Sequence, residues 1–75
     1  MLDMKLALAI SAYNMRVDSL KREGYAITFE THDDGLYFTK LVHGNGNRVD
    51  VRFSLKDGYL SQSTNGQTVF SDKVY

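Results

Sequence analysis

The chain has no cysteine, no proline and no tryptophan. Without cysteine there is no disulfide and no thiolate metal ligand to staple a small fold. Nor is there an excess of charge: nine Lys and Arg balance nine Asp and Glu over 75 residues. A neutral chain presents no basic field to gather nucleic acid regardless of sequence, and no acidic surface to mimic it. The longest apolar run, Leu6–Ile10, is far too short to span a bilayer. Asp3 and Lys5 interrupt the apolar stretch that a secretory signal needs. These absences lead us to expect one cytoplasmic domain, residues 1–75, with no membrane partner. The chain begins with Met and carries no linker or repeat, so it reads as a complete small product. A chain this short buries only about 60% of the surface it exposes when unfolded. Association, with a partner or with itself, is therefore expected to supplement the core.

What is present begins with one long helical pattern. Leu2, Leu6, Ala9, Ile10, Tyr13, Val17 and Leu20 recur at the i, i+3, i+4, i+7 spacing of a core-facing stripe. The spacing predicts a helix over residues 3–23. Asp3 is placed to cap the first turn, Lys21 and Arg22 suit the negative end of the dipole, and Gly24 supplies a left-handed stop. Asp18 and Arg22 form an i, i+4 pair. A second, narrower apolar strip runs along the opposite side: Met4, Leu8, Ala12 and Met15. Contiguous exposed apolar residues mark contact surfaces, and Met suits adaptable ones.

After Gly24 the period changes from helical to two. Aromatic and β-branched residues alternate over about 25–31, 36–43, 48–55, 59–64 and 67–74, predicting five strands. Asp34-Gly35, Asp57-Gly58 and Asn65-Gly66 each fit a two-residue type I′ turn, and Asn45-Gly46 sits at the centre of a looser one. Four such turns would pair Thr31 with Phe38, Val42 with Val49, Phe38 with Phe53, Leu55 with Leu60 and Gln62 with Val69. One face then collects Ile27, Phe29, Leu36, Phe38, Val42, Val49, Val51, Phe53, Leu55, Leu60 and Val69, with Lys40 as the single misfit. The fold class expected is α+β: one N-terminal helix packed on a four- to five-stranded antiparallel β-meander in two layers.

The same register predicts that Tyr37, Arg52, Tyr59 and Phe70 share the uncovered face. Tyr and Arg on a rigid sheet are favoured anchors for protein contacts, and aromatics there also stack single-stranded bases. His32, Asp33 and Asp34 are the densest titratable cluster, but Asp in a tight turn serves the local backbone. No nucleophile-and-base arrangement is evident, and Gly44-Asn45-Gly46-Asn47 precedes no helix that could cradle a phosphate. We therefore expect no catalytic residue, no cofactor and no metal. The expected function is a small non-catalytic protein–protein interaction module. It would be an inhibitor or regulator of a larger machine, of phage or mobile-element type, able to form a homodimer. Its contacts would fall on Met4, Leu8, Met15, Tyr37, Arg52, Tyr59 and Phe70. The alternative is single-stranded nucleic-acid binding through the sheet-face aromatics. A helix followed by an antiparallel meander is a plan shared by small adaptor, toxin–antitoxin and phage-encoded inhibitor proteins, and plan alone does not imply function.

Overall fold

The computed structural model describes residues 2–74, and for Leu2, Asp3, Lys5 and Leu6 only their place in the helix. The expected cap by the Asp3 carboxylate and the ends of the chain, Met1 and Tyr75, lie outside the described residues. Helix α1 runs from Leu2 to Arg22. It buries Ala9, Tyr13, Val17 and Leu20 of the expected stripe and half-buries Ile10, while the side chains of Leu2 and Leu6 lie outside the described ones. Its last turn tightens as the Glu23 N–H donates to both Ser19 O and Leu20 O, at 3.2 and 3.0 Å, and the Gly24 N–H to Lys21 O at 3.1 Å.

Gly24 stops the helix at φ 105°. A Cβ there would come within 2.8 Å of His43 Nε2, the atom that donates to the Glu23 carbonyl at 3.2 Å. The Asn45 N–H donates to His43 Nδ1 at 3.1 Å, which leaves the imidazole proton on Nε2. One histidine thus ties the end of the helix to the strand residue that pairs with Tyr25. Gly24→Ala combines left-handed strain with displacement of that ring. It is expected to lower stability by about 1–3 kcal/mol, read as a shifted urea midpoint.

Five antiparallel strands follow: β1 Tyr25–Asp33, β2 Leu36–His43, β3 Arg48–Ser54, β4 Tyr59–Thr64 and β5 Gln67–Lys73. They lie side by side in chain order, so one helix and a five-stranded meander make the expected two-layer α+β fold. Two turns form as their dipeptides dictate. Asp34 and Gly35 (φ 50° and 74°) and Asn65 and Gly66 (φ 51° and 87°) are left-handed at both central positions, as type I′ requires. Thr31 accordingly faces Phe38.

The other two connections are longer than their dipeptides imply. The His43 N–H donates to Asn47 O and the Gly46 N–H to His43 O, both at 2.9 Å, enclosing Gly44, Asn45 and Gly46. Only Gly46 of these has positive φ, 97°, the pattern of a three-residue loop closed by a left-handed glycine. This moves β2 against β3 by one residue: Val49 faces Leu41, not Val42, and Phe53 faces Tyr37, not Phe38. The β3–β4 connection is a four-residue loop closed by the Gly58 N–H on Ser54 O at 2.8 Å. It moves the pairing by two, so Phe53 faces Leu60 and Leu55 drops into the loop.

A one-residue move flips every side chain of a strand, and a two-residue move flips none. Hence Val49, Val51, Phe53 and Leu60 lie beneath the helix as expected, and β2 is reversed. Tyr37, Thr39 and Leu41 face inward, while Leu36, Phe38 and Val42 face outward with Lys40, which is no longer a misfit. Phe29 opposes Lys40 and goes outward with it. Bulges complete the changes. One at Thr28 keeps Ile27 opposite Leu41 on the inner side. The other, at Val69, leaves that residue 57% exposed and sets Phe70 opposite Gln62.

The core therefore consists of Ala9, Tyr13, Val17 and Leu20 on Leu41, Val49, Val51, Phe53 and Leu60. Two buried polar side chains, Thr39 and Gln62, interrupt it, and both are satisfied from the helix. The Tyr13 hydroxyl is hydrogen-bonded to the Thr39 hydroxyl, and Arg16 Nε donates to Gln62 Oε1. Burial raises the Tyr13 pKa above 10.0, and the bond to Thr39 opposes the shift. The unfolded chain thus releases this proton first. Tyr13's contribution is intact below about pH 10 and is lost as pH rises beyond it. Denaturation midpoints from neutral to strongly alkaline pH should fall in that window, less steeply in Tyr13→Phe.

Candidate protein-binding surfaces

The helix presents its first surface by simple angular placement. At 100° per residue, Met4, Leu8 and Met15 lie opposite Tyr13 and Leu20, pointing away from the sheet. They are 70%, 64% and 66% exposed. Ser11, Asp18 and Arg22 on the same side are also exposed. Ala12, grouped with the strip by sequence, instead packs partly against the core. Its angular position falls between the two faces. Three large apolar side chains this open on one strip lie outside the core and contribute little to the fold. Covering each would yield about 1.5–3 kcal/mol.

The second surface is the outer face of the sheet. Phe29 and Phe38 meet edge to face, with ring centroids 6.2 Å apart at 62°. The Arg52 guanidinium lies 5.1 Å from the Phe38 ring and the Lys40 ammonium 5.7 Å from it, within the range of cation–π attraction. Phe29 is 51% exposed. Tyr59 stands exposed on the same face, opposite Ser54. Beside the β2–β3 loop this face dips into a shallow cavity of about 430 Å³, lined by Thr28, Lys40, Val42, Arg48, Asp50 and Asn65 among others. Its polar groups are partly committed to one another. Asn65 Oδ1 accepts from the Arg48 N–H at 2.9 Å, and Asn65 Nδ2 donates to Asn47 Oδ1 at 3.3 Å.

Of the residues singled out by sequence, Arg52 and Tyr59 stand on this outer face. Tyr37 and Phe70 do not. Tyr37 is turned under the helix by the three-residue loop, 5.6 Å from the Tyr13 ring and 6.1 Å from that of Phe53. Phe70 is turned inward by the Val69 bulge, and Arg16 lies over it at 5.5 Å. Both pack against the core. Phe29, Phe38 and Lys40 take their places outside. Lys40 was the signal: it was the only charge on the expected inner face.

The His32, Asp33, Asp34 cluster is dispersed. His32 and Asp33 end β1 on opposite faces, and Asp34 occupies the turn. The His32 ring stacks on Tyr37 at 4.6 Å, and its Nε2 is 3.9 Å from Glu30 Oε2. Among the described residues no group of three His, Asp or Glu side chains is placed to hold a metal ion, and no helix is long and apolar enough to cross a membrane. No family model, no curated protein and no solved structure matches this chain.

Proposed function

We propose that this chain is a small non-catalytic protein-binding module, a regulator or inhibitor that works by occupying another polypeptide. The observation that carries this reading is the exposure of Met4, Leu8 and Met15 on the side of α1 that the sheet does not need. These side chains can be changed without touching the core, so fold and binding are separable. Leu8→Glu and Met15→Glu should leave the denaturation midpoint within about 0.5 kcal/mol of the parent. They should also abolish whatever the parent chain captures from its source cells. Capture that is the same with and without both substitutions would remove the strip from the reading.

A second reading, single-stranded nucleic-acid binding, is favoured by one arrangement: Phe29 and Phe38 between Lys40 and Arg52 on an open sheet. Stacking a base on such a ring contributes about 1–3 kcal/mol. Fluorescence anisotropy of a labelled oligonucleotide at low salt should then rise with protein, weaken with added salt, and weaken again in Phe29→Ala or Arg52→Ala. An unchanged anisotropy at the highest protein concentration eliminates this reading.

A further inference from the structure

The solvent strip of α1 extends beyond its apolar residues. Met4, Leu8, Ser11, Met15, Asp18 and Arg22 follow one another at intervals of four, three, four, three and four, and all six are exposed. That is the seam spacing of a helix that pairs with another helix. Ala7 and Ala12 flank the apolar half, and small flanking residues let two backbones approach closely.

The first four positions are also a palindrome in spacing. Turned end for end, a second α1 matches Met4 with Met15 and Leu8 with Ser11. Charge selects the same orientation. In a parallel pair Asp18 would meet Asp18 and Arg22 would meet Arg22, and like charges in contact are costly. In the antiparallel pair, Asp18 of each copy reaches the amino end of the other helix, where free N–H groups and the dipole favour a carboxylate.

We infer that the chain forms a two-fold dimer through antiparallel pairing of α1, Met4 against Met15 and Leu8 against Ser11 of a second copy. The inference rests on the strip being a protein-contact surface and narrows its occupant to this chain itself. Each α1 then lies between its own sheet and its neighbour, and both outer sheet faces, with Phe29 and Phe38, stay open. The overlap spans only about 18 Å of helix. The contact is smaller than a standard interface, and the dimer is one that dissociates on dilution.

The absence of cysteine makes the test clean. Met4→Cys and Met15→Cys are prepared separately, one with a mass tag, both at exposed positions that leave the core intact. Under mild oxidation the mixture should yield the mixed disulfide in roughly tenfold excess over either same-variant dimer, because a disulfide needs Cα atoms within about 7 Å. Two Met4 positions of the antiparallel pair are separated by about 16 Å along the axis. Light scattering on the cysteine-free chain should show the mass doubling with concentration, and Leu8→Glu should hold it at the monomer. Dominant Met4→Cys same-variant dimers would overturn the orientation. A mixed disulfide only about twice as abundant as either same-variant dimer, the ratio of random pairing, or a monomer at every concentration, would overturn the dimer. If a monomeric chain still captures another protein in a Leu8- and Met15-dependent way, only the self-pairing falls. If capture is also insensitive to both residues, the wider reading of the strip falls with it.

Discussion

Phe53→Ala is expected to remove between about a quarter and all of the chain's stability. A 75-residue domain has a total stability of roughly 4–11 kcal/mol. Truncating a buried Phe costs about 3–5 kcal/mol. Phe53 is fully buried, on the central strand, between Tyr37 on one side and Leu60 on the other. Nothing else can collapse into its place, because the residues above it belong to a helix also held at Thr39 and Gln62. Circular dichroism with urea should show the variant's midpoint lowered by the equivalent of about 3–5 kcal/mol. A midpoint within about 1 kcal/mol of the parent would mean that this side chain is not in the core.

The second large effect sets neighbouring residues against each other. Leu41→Ala should cost about 2–5 kcal/mol, whereas Val42→Ala should cost less than about 1 kcal/mol. Leu41 is completely buried beneath α1, and Val42 lies on the outer face beside Arg48. Simple two-residue turns would reverse the order. Phe38→Ala should behave like Val42→Ala, as its ring is held by Phe29, Lys40 and Arg52 on the open side rather than by the helix. Equal losses at Leu41 and Val42 would indicate a second layer covering the outer face.

The sequence made the elements legible because each carried a local signal. Helix periodicity and Gly24 placed α1, and alternation with Asp-Gly and Asn-Gly punctuation placed all five strands within two residues. The register was legible only where the turn had a single solution. Asp34-Gly35 and Asn65-Gly66 took that solution. Gly44-Asn45-Gly46 has two, since Gly46 can be the second residue of a type I′ turn or the left-handed residue closing a longer loop. Hydrophobic pattern could not decide between them. Strand β2 carries Leu36, Phe38 and Val42 on one side and Tyr37 and Leu41 on the other, so both faces are apolar. The charge of Lys40 was the one asymmetry, and it pointed to the observed answer. The bulges at Thr28 and Val69 had no signal in the letters, and they decided where Ile27 and Phe70 went. On α1 the outer strip was legible, because angular position alone fixes it once the core stripe is known. Only Ala12, between the two faces, fell on the other side.

The register of β2 against β3 decides which side chains are core and which are available to a partner. Backbone nuclear Overhauser contacts report it directly, since facing residues in non-hydrogen-bonded pairs bring their Cα atoms to about 4.5 Å. The expected spectrum connects Phe38 with Arg52, Lys40 with Asp50 and Val42 with Arg48, the non-hydrogen-bonded pairs of the register that sets Tyr37 opposite Phe53 and Leu41 opposite Val49. A spectrum that instead connects Leu41 with Asp50 and Thr39 with Arg52, the close pairs of the register that sets Phe38 opposite Phe53, would return Phe38 to the core, restore Tyr37 to the open face, and contradict the surfaces described.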